Sequence, residues 1–175
     1  GDGALRPRFQ QEAEKLMGNQ CVFTGLVSPS EVPALIGVMD VLVHLSRREG
    51  LARALPQALA AGKPVIAFDC DGAREVCRDG ETGFLVQPGD VATVTQRLGR
   101  LAADAALRQR LGERGRGDGL GGLGGLRVPQ DRGSARGHGS GGVFVFHEGW
   151  IREVRRRWVP ALTGRATARN PIQVM

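Results

Sequence analysis

Glu49 and Gly50 stand where an apolar run ends and a helix-forming segment begins, inside SRREGLARALPQALAAGKPV from Ser46 to Val65. That order reads as strand, tight loop, helix and, after Gly62-Lys63-Pro64, a second strand. A loop that feeds a helix from the end of a strand gathers free backbone N–H groups and the positive end of the helix dipole, and both attract phosphate. A carboxylate beside such an anion site is ill suited to hold the anion. It is suited to accept hydrogen bonds from hydroxyls on whatever the phosphate carries, and a nucleotide sugar meets that description. Gly50, Leu51 and Ala52 supply loop backbone that can face a diphosphate, the glycine by allowing close approach or an unusual dihedral. Arg53 adds a cation within reach of phosphate or sugar. On residue types alone, Glu49 as a helix-start acid, Gly50 as a turn glycine and Arg53 as a solvated arginine remain open.

The elements that must position these residues follow from periodicity. Ala4 to Met17 has the spacing of an amphipathic helix, and Cys21-Val22-Phe23 is a short strand ending at Gly25. Ser28-Pro29-Ser30-Glu31 predicts a helix start, with Ser28 as N-cap, Pro29 at the first position and Glu31 completing a capping box, the helix running to about Met39. Val41 to Leu45 reads as a buried parallel strand because its apolar residues do not alternate with polar ones. The helix after Gly50 is placed from about Arg53, so that Pro56 falls in or near its first turn. Val65 to Phe68 and Gly83 to Val86 are strands, Ala73 to Cys77 is a short helix, and Asp90 caps a long helix with Val91, Val94, Leu98 and Leu101 on one face. Strands alternating with helices predict a right-handed parallel sheet whose ligand lies outside the carboxyl ends of its strands. Ser46 is read as a cap and not a nucleophile, since no His and acid accompany it in a motif, and His44 as a core residue.

Composition narrows the function classes. At 175 residues the chain is long enough for one α/β domain and too short for two. Residues 1–114 carry 14 Lys+Arg and 14 Asp+Glu, so the whole net charge of +6 lies in 115–175. A balanced body offers no broad field for steering onto nucleic acid. Cys21, Cys70 and Cys77 are too few and wrongly spaced for a zinc site, and an odd number gives no disulfide framework; a reducing cytoplasm fits. No apolar run approaches the ~20 residues of a membrane span. From 115 to 142 the chain holds 12 glycines and almost nothing to build a core, which predicts a disordered tail. Of the 24 basic residues only Lys15 and Lys63 are lysine, and Gly/Arg-rich sequence of this kind also suits GC-rich DNA read out of frame from near Gly115.

Taken in order, FTG (23–25), SRREG (46–50), ALPQALAAGKPVIA (54–67), DGAREV (71–76) and DGETGFLVQPGD (79–90) closely resemble the C-terminal half of retaining GT-B glycosyltransferases of family 4, often called group 1. The resemblance spans about 1–116. It implies a Rossmann-like parallel sheet flanked by helices, the nucleotide-sugar-binding lobe, over 1–114, lacking its first strand and the N-terminal acceptor lobe. It also implies sugar transfer with retention, no metal and no cofactor beyond the nucleotide-sugar donor, a cytoplasmic location with peripheral membrane association through the other lobe, and no activity for this fragment alone. Glu49 matches the acid that contacts the donor sugar, and Gly25 and Leu26 edge the nucleobase pocket. Gln57 stands where the family has a second acid, for the ribose; an amide still hydrogen-bonds a hydroxyl but is a weaker acceptor without charge. A GT-B nucleotide-sugar 2-epimerase and a non-catalytic nucleotide- or nucleic-acid-binding module are the competing readings. The EG-x6-Q-A-L-A pattern disfavours the first of these and the charge split disfavours the second.

Overall fold

A computed structural model of the chain describes residues 3–18, 21–47, 50, 52–70, 72–117, 142–146 and 172–174. The elements in chain order are α1 (Arg6–Met17), β1 (Cys21–Phe23), α2 (Val32–Val38), β2 (Met39–His44), α3 (Ala54–Ala60), β3 (Val65–Phe68), α4 (Ala73–Val76), β4 (Gly83–Val86), α5 (Val91–Ala103), α6 (Ala105–Gly117), β5 (Gly142–Phe146) and β6 (Ile172–Val174). The six strands form one sheet in the order β1-β6-β5-β2-β3-β4, and every pairing is parallel. The expected α/β class, a Rossmann-like parallel sheet flanked by helices, is what the chain adopts.

Strand side chains alternate between two cores. Val41, Val43 and Leu45 point to the face that also receives Ile66, Phe68, Phe84 and Val86, where Val94, Leu98 and Leu101 of α5 and Leu107 and Leu111 of α6 cover them. Met39, Leu42, Val65 and Ala67 face the other way, against Ile36 of α2, Leu55, Ala58 and Leu59 of α3, and Ala73. Because both faces are covered, β3 is apolar throughout and β2 is apolar from Val41 to Val43, as a parallel sheet requires. α5 starts as expected: Asp90 Oδ1 accepts the Thr93 N–H at 3.0 Å. Pro56 is the third residue of α3, in a first turn where no N–H is required of it.

Two expectations change. The helix forecast from Ser28 begins only at Val32, with Glu31 preceding it and a proline in its first two positions. Half of the capping box forms, since the Ser28 N–H donates to Glu31 Oε2 at 2.9 Å, but Ser28 Oγ donates to the same carboxylate instead of capping the helix. A helix running from Pro29 would need an N–H at Pro33 to donate to the Pro29 carbonyl, and proline has none. Second, α6 was not foreseen. Asp104 Oδ1 accepts the Leu107 N–H at 2.8 Å and starts it, and the helix carries on through Arg114 to Gly117, across the expected domain boundary. Of the segment 115–175, the end of α6 and strands β5 and β6 are described; the expectation of a disordered tail otherwise falls outside the described residues.

Candidate functional site

Parallel strands bring all their carboxyl ends to one edge, and of the residues singled out above, Gly25, Leu26, Gly50, Ala52 and Arg53 lie in the segments that follow β1 and β2 there. Gly25 lies two positions past β1, is buried, and adopts φ 73°, the left-handed region that favours glycine. Leu26 beside it is 80% exposed. The neighbouring Thr24 Oγ1 is buried without a hydrogen-bond partner.

At the end of β2, the chain from Ser46 passes through Gly50 to Ala52 before α3 begins. Gly50 is exposed. Ala52 is 4% exposed and seats the end of the loop in the core. Its carbonyl accepts the Leu55 N–H at 3.1 Å and that of Arg53 accepts the Gln57 N–H at 3.2 Å, the first bonds of α3. Arg53 is exposed and Gln57 half-buried. Glu49 and Leu51 lie outside the described residues, and so does Asp71. The Gly25 turn and the Gly50 loop thus share one edge of the sheet but not one strand pair. β6 and β5 stand between β1 and β2, three strand spacings or roughly 14 Å.

A second group of polar residues lies next to the Gly50 loop, past the ends of β3 and β4, and sequence reasoning did not find it. Asp69 accepts two hydrogen bonds from Arg74, through Nε and through Nη2, the latter at 2.9 Å. Gln87 Nε2 donates to Asp69 Oδ2 at 3.1 Å. The Asp69 carboxylate holds the Arg74 guanidinium above its ordinary range, first by hydrogen bonding and then by charge. Cys70 Sγ donates to the Ser46 carbonyl at 3.3 Å, and the Gly72 N–H donates to the Gly50 carbonyl at 2.7 Å. These contacts join three loops, and no spacing along the chain announces them. Cys77, which follows α4, is buried, and burial pushes its thiol up to about 12, against a smaller opposing effect of its hydrogen bond with Thr82. His44 is half-buried at the end of β2.

A parallel sheet covered by helices on both faces defines a Rossmann-type α/β fold. The chain belongs to the glycosyl transferases group 1 family, whose pattern matches residues 1–118. It is similar to EpsD of Bacillus subtilis, a glycosyltransferase by name, with 41% identity over 117 residues, 66% of this chain and 30% of that protein. Among solved structures it resembles the C-terminal domain of the group 1 glycosyltransferase LpcC from Francisella tularensis, at 25% identity and a TM-score of 0.60, covering 66% of this chain and 60% of that one. Anabaena HepE, solved with UDP-glucose, shares the fold at 24% identity and a TM-score of 0.61, over 67% of this chain and 32% of HepE. The chain therefore spans about a third of the length of curated relatives such as EpsD.

Proposed function

We propose that this chain is the donor-binding lobe of a retaining glycosyltransferase of polysaccharide biosynthesis, that it binds a nucleoside-diphosphate sugar, and that it turns over no donor without an acceptor lobe. The carrying observation is the placement of the Gly25 turn and the Gly50–Arg53 loop at one carboxyl edge of a parallel sheet. Backbone N–H groups of Gly50, Leu51 and Ala52, with the Arg53 guanidinium, suit the charge that grows on a departing diphosphate. That stabilisation asks no metal ion of this lobe. The Glu49 carboxylate accepts hydrogen bonds from donor-sugar hydroxyls, Gln57 offers the ribose an amide, and Gly25 with Leu26 borders the base. HepE, with UDP-glucose on the same fold, makes uridine nucleotides the first donors to test. A cytoplasmic setting suits Cys21, Cys70 and Cys77, none of which is in a disulfide.

Proximity explains the need for a partner lobe, because transfer requires donor and acceptor held in one geometry. The test is to assay the purified 175-residue chain for sugar transfer, then to join residues 1–117 to the N-terminal lobe of a group 1 transferase and follow the anomeric proton of the product. The expected result is no transfer by the chain alone, and transfer with the donor's anomeric configuration by the joined protein. Transfer by the chain alone, or an inverted product, contradicts the proposal.

A further inference from the structure

The loop that holds Glu49 leaves β2 after His44 and enters α3 at Ala54. Hydrogen bonds reach it on both sides of Glu49, and both come from the neighbouring β3–α4 loop: Cys70 Sγ to the Ser46 carbonyl at 3.3 Å, and the Gly72 N–H to the Gly50 carbonyl at 2.7 Å. The Ser46 and Gly50 carbonyls are therefore tied to Cys70 and Gly72, which lie between Asp69 and Arg74. That segment is closed by its own ends. Arg74 grips Asp69 with Nε and Nη2, a two-pronged pairing that fixes direction as well as distance. The carboxylate is anchored in turn from β4, by Gln87 Nε2 at 3.1 Å and by the Asp69 N–H on the Val86 carbonyl at 2.7 Å.

Folding stability does not account for this arrangement. The Arg74 side chain is 64% exposed, and pairs so exposed contribute little to folding. α4 has four residues, too few to hold its own geometry by helix formation. A rigid fork closed across such a turn acts on the turn, and the turn carries the two donors that reach Ser46 and Gly50.

We propose that Arg74, through its two-pronged hold on Asp69, is a positioning residue that sets where the backbone of Ser46 and Gly50 stands relative to a bound nucleoside diphosphate. The proposal rests on the donor-site reading of Gly50–Arg53. It assigns Arg74 no contact with the ligand.

The test uses the 175-residue chain, with UDP as the probe. UDP affinity and amide hydrogen exchange at Gly72 are measured for the unaltered chain and for Arg74→Ala, Arg74→Lys, Asp69→Asn and the double variant Arg74→Ala/Asp69→Asn. Arg74→Ala should speed exchange at Gly72 without ligand and weaken UDP binding roughly fivefold, while the melting temperature stays within a few degrees. Asp69→Asn should do the same, and the double variant should bind no more weakly than either single one, because both act through one pair. Arg74→Lys, a point charge without the fork, should restore only part of the affinity.

Unchanged UDP affinity in Arg74→Ala overturns the proposal. So does weakened affinity with Gly72 exchange unmoved, or losses that add in the double variant, since either result means direct contact with the ligand. If the unaltered chain binds no UDP, the donor-site reading fails and this proposal with it, an outcome distinct from binding that ignores Arg74.

Discussion

On the function proposed above, the chemistry turns on Glu49. If its carboxylate accepts hydrogen bonds from donor-sugar hydroxyls at a desolvated site, Glu49→Gln removes a charge-assisted bond of roughly 1.5–3 kcal/mol. In the enzyme completed by its acceptor lobe, kcat/KM should fall by about one to two orders of magnitude. The melting temperature should hold, because a loop acid contributes at most about 1 kcal/mol through the helix dipole. Equal kcat/KM in the two proteins would reduce Glu49 to a helix-start acid.

Cys77 yields a prediction of another kind. Its thiol is raised by burial to about 12 from an ordinary 9.0. A group raised in the folded state contributes stability that is complete below the unfolded pKa and is lost as pH climbs to the folded one. Urea unfolding should therefore show stability falling between pH 9 and pH 12, by at most about 1.4 kcal/mol per pH unit from this thiol. Cys77→Ser should flatten the slope; a slope unchanged by the substitution would remove Cys77 as its source.

The strand-to-helix junction around Gly50 was legible in the sequence, because an apolar run followed by a helix-forming segment declares itself locally. The Asp69–Arg74–Gln87 group was not legible. Gln87 comes from a separate loop and meets Asp69 only after β3 and β4 have paired, and Arg74 of α4 reaches Asp69 around a turn that no periodicity announces.

At the scale of elements, β3, β4 and α5 stand where the sequence placed them, since each declares itself by an apolar pattern and, for α5, by the Asp90 cap. α6 stayed hidden because its glycines read as a change of composition. Packing explains them. A Cβ on Gly112 would sit 2.0 Å from the Gly62 carbonyl oxygen, and one on Gly115 2.8 Å from Leu59 Cδ2, so α6 approaches α3 through its glycines. Arg116 Nη2 closes that contact, donating to the Ala61 carbonyl at 3.0 Å.

Gly112→Ala must move backbone and should cost about 1–3 kcal/mol. Gly99→Ala in α5 meets nothing within 4 Å and should gain about 0.5–1 kcal/mol from helix propensity. Urea denaturation of the two variants checks the signs, and a neutral Gly112→Ala would contradict the close α3–α6 contact.

On the scale of the whole molecule, the net charge and the Gly25 and Gly50 loops are separate along the sequence. The net +6 lies beyond Arg114, and both loops belong to the balanced stretch 1–114. Replacing Arg155, Arg156 and Arg157 by glutamine should lower retention on heparin while leaving UDP affinity unchanged. A parallel loss of UDP affinity would instead place the ligand on the basic segment. No described helix is long and apolar enough to cross a membrane.

The claim that the carboxyl edge of this sheet is a nucleotide-sugar donor site is tested most directly by titrating UDP into the isotope-labelled chain and following its backbone amides. The account predicts weak, saturable binding, with the largest shifts at Gly25, Leu26 and Gly50 through Arg53. Shifts confined to the arginines after Arg114, or none at saturating UDP, would contradict it.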